Sequence, residues 1–304
     1  MSVIVHVGYP KTASTWLQTR VFPAHPSLDY WRQVPGFDWV NKVVNLHDFD
    51  FDAKALRERY RTDRDSASAR LAVISLEGLV GDVFAGGWDT CRNADRLRAV
   101  LGEARIIISI REQVSMLDSL YKQYVAEGGI GGVKSFLRLR PAGRAYFSLN
   151  YLRYDRAAAY YRALFGEDSV YVCLYEELLE SPDAFLRGLS DFLGIDGFDV
   201  DERSMGKKEN PGFSAFSTAV ARVANRFLHS DFNPVPLVPP RLVGVPGMRA
   251  FLKRADTALF GRLFPAKSVI DQNTRVFLED YYRSGNRALA GELGLPLAEY
   301  GYPL

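Results

Sequence analysis

The apolar positions of the chain fall into runs with two different periods. Val3 to Val7 is a β-branched run interrupted by one histidine; Gly8-Tyr9-Pro10 then turns the chain, and Ser14 to Val21 continues as a helix. Further apolar runs at Leu71 to Leu76, Arg105 to Ile110 and Ser169 to Leu174 predict three more strands. The isoleucine-rich one reads as buried on both faces, as in a parallel sheet. Helical spacing governs Gln113 to Ala126, which a glycine cluster at Gly128 to Gly132 ends. Asn150 to Phe165 predicts a helix closed by Gly166. Ser181-Pro182 opens another that runs to Leu193, with proline at its first turn. Ser268 to Gly294 predicts a last one. This alternation predicts an α/β fold: a doubly wound parallel β-sheet flanked by helices, with a P-loop-like strand-loop-helix start and a helical C-terminal part.

Composition narrows the class. With 304 residues and 47% hydrophobic content the chain can bury one large core, so a single domain over residues 1–304 is the default. Its 38 basic and 36 acidic residues leave a formal charge of +2, which argues against coating a polyanion and against a nucleic-acid partner. Any anion site must be local. Cys91 and Cys173 fall in a helical region and an apolar strand, which suits buried free thiols and a reducing, cytoplasmic setting. No signal-like leader is expected, because the first residues run directly into an apolar strand without a basic region or cleavage site, and the sequence shows no bilayer-length apolar stretch or Asn-x-Ser/Thr acceptor. Prolines from 234 to 246 predict an extended loop. After it, residues 247–264 predict a helix with an apolar stripe and a basic face. That helix either docks on the core or makes a peripheral membrane or partner contact.

Candidate chemistry begins at the first loop. A loop that leaves a parallel strand and opens a helix lies at the carboxyl edge of the sheet, where open α/β folds bind ligands. The N–H groups of the helix start and the helix dipole favour an anion there. In Pro10-Lys11-Thr12-Ala13-Ser14-Thr15-Trp16 an ammonium and three hydroxyls are added, groups suited to phosphate or sulfate oxygens. The bland reading of Ser14 and Thr15 is that they are helix caps. The lysine comes too early, with no glycine before it, for the G-x-x-x-x-G-K-S/T loop of nucleotide triphosphatases. Arg111 ends the third of the longer runs, and Ser119 lies two helical turns further on. Arg111 offers a two-oxygen grip on phosphate, although it could equally pair with Glu112 or Asp118.

The loop resembles the 5′-phosphosulfate-binding loop of the sulfotransferases that use 3′-phosphoadenosine 5′-phosphosulfate (PAPS), commonly Pro-Lys-Ser/Thr-Gly-Ser/Thr-Ser/Thr-Trp/Ser-Leu. Pro10, Lys11, Thr12, Ser14, Thr15, Trp16 and Leu17 match, with Ala13 at the usual glycine. A methyl group there calls for a negative φ. Arg111 to Ser119 is similar to the family's 3′-phosphate segment, which implies that Arg111 and Ser119 hold that phosphate. The resemblance extends through Asn150 to Leu193, including Tyr175-Glu176-Glu177-Leu178, and includes Leu297 to Pro303, a common ending of bacterial members. It leaves out a variable insertion at about 22–70 and the Pro-rich loop with its helix at about 231–264. Lys208 and Asn210 stand where many members place a basic, loop-borne nucleotide contact. The implied activity is sulfuryl transfer from PAPS to an acceptor hydroxyl, releasing adenosine 3′,5′-bisphosphate (PAP). No metal is expected. Bacterial members lean towards glycans or glycolipids, and a small-molecule acceptor is the other reading.

In-line transfer places negative charge on the leaving phosphate oxygen, which Lys11 can stabilise. Glu77, directly after the second longer run, is the candidate general base, and His47 is the alternative. Glu77 could instead cap the next helix or pair with Lys11 or Arg111. His6 reads as a core residue. Aromatic residues of the poorly matched segment, among them Tyr30, Trp31, Phe37, Trp39, Phe49 and Phe51, either line the acceptor side or simply pack. Two other readings stay open. A kinase-like P-loop phosphotransferase would want a Mg²⁺-holding acid and a Gly-Lys-Ser/Thr loop. A non-catalytic nucleotide-binding or membrane-associated adaptor would use the 247–264 helix.

Overall fold

The computed structural model describes residues 3–31, 38–66, 71–137, 147–200, 214–237 and 268–304. Five strands, β1 (Val3–His6), β2 (Leu28–Tyr30), β3 (Leu71–Ser75), β4 (Ala104–Ile110) and β5 (Val170–Leu174), form one sheet in the order β2-β3-β1-β4-β5. Every pairing in it is parallel. The helices in chain order are α1 (Ser14–Trp16), α2 (Asp38–Asn45), α3 (Ala53–Ser66), α4 (Thr90–Leu101), α5 (Gln113–Ala126) and α6 (Val133–Phe136). They continue with α7 (Tyr154–Phe165), α8 (Tyr175–Glu180), α9 (Pro182–Leu193), α10 (Ala215–Ala224) and α11 (Gln272–Leu293). The fold is the expected α/β architecture, and the four strands read from apolar runs end within one residue of expectation. β2 was not foreseen. Its three residues pair with β3 from Leu28↔Leu71 to Tyr30↔Val73, inside the segment treated as a variable insertion.

By contacts the chain divides into two compact units: Met1–Glu112 with Ser148–Lys207 and Arg283–Leu304, and Gln113–Phe147 with Lys208–Tyr282. The first holds the whole sheet. β1 is its central strand, flanked by β3 and β4, so the connections turn to opposite sides around it. The loop after β1 is therefore at the topological switch point, where a crevice opens above the strand ends. On one face of the sheet Ile4, Val73, Ile107 and Cys173 pack against Trp16, Leu17, Val21 and Phe22 behind the first loop, and against Phe185, Leu186, Leu189 and Leu193 of α9. The apolar stripe of α9, four residues each almost fully buried, is worth roughly 1.5–3 kcal/mol per side chain. Gly194 at φ 64° ends that helix in the left-handed conformation that favours glycine.

The second unit is helical in its described residues. Tyr121, Tyr124, Phe136 and Phe147 form a chain of ring contacts with centroids 5.0–6.1 Å apart. Asn225 fastens the end of α10 to α5 by donating to the carbonyls of Val125 (2.7 Å) and Gly129 (3.0 Å). Among the described residues no helix is long and apolar enough to cross a membrane. Lys208, Asn210, the 247–264 helix and most of the Pro-rich loop lie outside the described residues.

Candidate active site

The loop after β1 first extends the sheet, with the N–H groups of Val7 and Tyr9 donating to the carbonyls of Ile107 (2.9 Å) and Ser109 (3.2 Å). Gly8 is required by close approach, since a Cβ there would meet His6 Nε2 at 2.3 Å. Tyr9 points inward, fully buried, and packs edge-on against Tyr151 (5.0 Å) and Tyr154 (4.8 Å). Edge-to-face pairs of this kind are worth about 0.5–1.5 kcal/mol each beyond their burial. The back of the loop is thus fixed to the start of α7. Burial raises the Tyr9 phenol well above its ordinary pKa, so it stays neutral.

The loop then turns through two left-handed residues, Lys11 at φ 65° and Ala13 at φ 61°. The negative φ expected at Ala13 is overturned. Alanine occupies a conformation that glycine adopts without cost, and a left-handed L-residue costs roughly 1–2 kcal/mol. Left-handed residues alternating with others are also the arrangement that lets successive N–H groups converge on an anion. Thr12, buried, closes the turn by donating to the Tyr9 carbonyl (2.6 Å). Lys11 and Thr15 are exposed, Ser14 and Trp16 are buried, and Trp16 belongs to the core behind the loop. After α1 the chain continues in a π-type turn, Leu17–Val21.

Two candidate residues come to this loop from other strand ends. Glu77, half-buried just beyond β3, accepts a hydrogen bond from the Ser14 hydroxyl through Oε1. Glu77 also opens the short 3₁₀ turn Glu77–Val80. Arg111, just beyond β4, donates from a guanidinium nitrogen to the Lys11 carbonyl (3.3 Å) and lies over the Tyr175 ring at 4.8 Å from its centroid. The Arg111 carbonyl in turn accepts from Tyr154 Oη (2.8 Å). Asp118, an alternative partner proposed for Arg111, is paired with Lys122 (2.6 Å).

Ser119 lies on α5 in the second unit, half-buried. His47 is exposed between α2 and α3, where Nδ1 accepts from the Phe49 N–H (3.2 Å) and the ring packs on Phe49. It caps the short 3₁₀ turn Asp48–Asp50 before α3. Of the aromatic residues in that stretch, Trp31 and Trp39 are buried around Tyr60, and Phe51 lies under Arg96 at 4.3 Å. Packing is thus the observed role for these three, while Phe49 is almost wholly exposed.

Beneath the loop a row of polar side chains crosses four adjacent strand positions. Gln18 Nε2 donates to Ser75 Oγ (3.0 Å); Ser75 Oγ lies 2.7 Å from His6 Nδ1, and His6 Nε2 lies 2.8 Å from Ser109 Oγ. Ser109 Oγ contacts Cys173 Sγ at 3.2 Å. A neutral ring protonated on Nε2 satisfies each member, with Ser75 donating to Nδ1 and Ser109 donating to sulfur. Burial holds the His6 pKa down to about 4 and pushes the Cys173 thiol up to about 12. Both cysteines are free, but Cys91 on α4 is exposed, contrary to the expectation of two buried thiols.

Sequence reasoning gave no role to the residues that hold Arg111 and the loop from behind: Tyr9, Tyr151, Tyr154 and Tyr175. The richness of α7 in tyrosine was legible, but which ring meets which depends on contacts far apart in the chain.

A family model described as "Sulfotransferase family" matches residues 4–199. This chain belongs to the sulfotransferase family. The match spans the loop, Glu77, Arg111, Ser119 and the Tyr175–Glu176 turn. No curated protein matches the chain. Among solved structures it is similar to a sulfotransferase from Alicyclobacillus acidocaldarius, at 18% identity over 69% of this chain and 87% of that one, with a TM-score of 0.49. It is also similar to the sulfotransferase domain of the Synechococcus PCC 7002 olefin synthase, at 15% identity over 84% and 94% with a TM-score of 0.43. Mouse sulfotransferase SULT7A1 complexed with PAP aligns at 14% identity over 94% and 85%, with a TM-score of 0.44. As a sulfotransferase the chain is a transferase enzyme that moves a sulfuryl group.

Proposed function

We propose that this sulfotransferase takes its sulfuryl group from PAPS and passes it to an acceptor hydroxyl, on a glycan or glycolipid in preference to a small molecule. The observation that carries the donor assignment is the hydrogen bond from Arg111 to the Lys11 carbonyl. It joins two cationic elements, one suited to the 5′-phosphosulfate and one to the 3′-phosphate, at the switch point of the sheet. Pro10 to Trp16 would wrap the 5′ end, and Arg111 with Ser119 would hold the 3′-phosphate, with Lys208 and Asn210 as loop contacts. A donor phosphorylated at both positions suits this pair of elements better than ATP. The preference for a glycan or glycolipid acceptor rests on the likeness to bacterial members.

Lys11 neutralises the charge that grows on the leaving phosphate oxygen as the S–O bond breaks. Glu77 accepts the acceptor hydroxyl's proton as the new S–O bond forms. Its hydrogen bond with Ser14 supports that role, because it sets a carboxylate beside the loop that would carry the sulfuryl group. His47 is the alternative base, and its local contact with Phe49 favours Glu77.

Transfer of labelled sulfate from PAPS tests the reading. Lys11→Ala is expected to lower kcat by about 10²–10³-fold, as for other lost transition-state donors. Arg111→Ala is expected chiefly to raise the KM for PAPS. Unchanged turnover in the first variant, or an unchanged KM in the second, would remove the residue concerned from the site.

A further inference from the structure

The backbone immediately after Arg111 is held by a carboxylate from the end of a different strand. Glu176, in the first turn of α8 beyond β5, accepts from the Glu112 N–H through Oε1 (2.9 Å) and from the Tyr302 hydroxyl through Oε2 (3.0 Å). Both oxygens of the carboxylate therefore have a donor. Tyr302 is buried at 3% exposure, and its own N–H donates to the Leu297 carbonyl (3.1 Å), which folds residues 297–302 into a turn. Neighbouring carbonyls are tied to α11, where Asn286 Nδ2 donates to Pro303 (3.1 Å). The residue before Glu176 is Tyr175, whose ring lies under the Arg111 guanidinium.

These contacts form one chain of support: Tyr302 to Glu176, Glu176 to the Glu112 amide, and Tyr175 to the guanidinium. We propose that Tyr302 is a positioning residue for the donor's 3′-phosphate, acting through Glu176 on Arg111 without touching the nucleotide. Loss of the Tyr302 hydroxyl leaves one oxygen of a half-buried carboxylate without its donor. The carboxylate then turns or takes a proton, and either change slackens the Glu112 anchor. A guanidinium displaced by a fraction of an ångström loses a two-oxygen grip on phosphate, whereas the 5′ end of the nucleotide is held elsewhere. The inference rests on the assignment of Arg111 to the 3′-phosphate.

The test is calorimetric titration of the full chain with adenosine 3′,5′-bisphosphate and, in parallel, with adenosine 5′-monophosphate. Four proteins are compared: wild type, Tyr302→Phe, Arg111→Ala and the double variant. Tyr302→Phe is expected to weaken the bisphosphate by about tenfold, the effect of one charge-assisted hydrogen bond, and to leave the monophosphate unchanged. In the Arg111→Ala background the same substitution is expected to change neither. An equal loss for both nucleotides, an undiminished loss without Arg111, or no loss at all would overturn the inference. If Arg111→Ala itself weakens both nucleotides equally, the donor assignment fails instead, whatever Tyr302 does. Should Tyr302→Phe not fold, Glu176→Gln provides the same comparison, with the same selective loss expected.

Discussion

Lys11 and Ala13 carry the most unusual backbone in the described structure, since they alone among its non-glycine residues have a positive φ. For Ala13 the sequence pointed to the right position but the wrong torsion. A glycine-for-alanine difference in the loop was visible, yet nothing local indicated which half of φ space the loop would occupy. The buried hydroxyl of Thr12 and the packed ring of Tyr9 hold the turn closed and so impose the conformation. Ala13→Gly should therefore relieve roughly 1–2 kcal/mol of strain. Most of that gain is offset by the greater freedom of glycine in the unfolded chain. The expected result is a rise of about 1 °C or less in the unfolding midpoint measured by calorimetry. A fall of similar size would mean that the methyl group contributes packing that outweighs its torsional cost.

At the scale of elements, the sheet carries its own acid-sensitive component. His6 is fully buried, and its pKa is lowered from 6.5 to about 4 by burial. A lowered folded-state pKa means that the unfolded chain binds the proton more readily. The associated stability is complete above pH 6.5 and is lost progressively as pH falls from 6.5 towards 4. The full loss is about 3 kcal/mol. Urea titrations at pH 7 and pH 4.5 should show a larger fall for the wild type than for His6→Gln, in which the titrating group is gone. Equal falls would show that the acid sensitivity lies elsewhere. The elements themselves were largely legible: strands β1, β3, β4 and β5 and helices α5 and α9 follow from the period of their apolar residues and from glycine or proline at their ends. β2 was not, because three residues are too few to show a period and its partner, β3, lies about forty residues away.

For the whole molecule, what the sequence reading lacked was pairing between distant segments. Tyr175 to Leu178 and Leu297 to Pro303 were each matched to the family without a role, and the fold brings them together at Glu176 and Tyr302. Such a contact leaves no trace in local periodicity, because each partner alone reads as an ordinary acidic helix start or an ordinary turn. The two free cysteines, one exposed and one at the end of the polar row under the loop, bear on the molecule as a whole in another way. A thiol reagent should modify the exposed Cys91 first, although burial and Asp95 raise its thiol pKa, and Cys173 only when β5 separates from its neighbour, since the thiolate there is both shielded and disfavoured. Mass spectrometry of a labelling time course should show two phases, the slow one quickening with denaturant; a single fast phase would contradict the buried position of Cys173. Unmutated, the chain thus carries a clock for the opening of its central sheet, with Cys91 marking the zero of time.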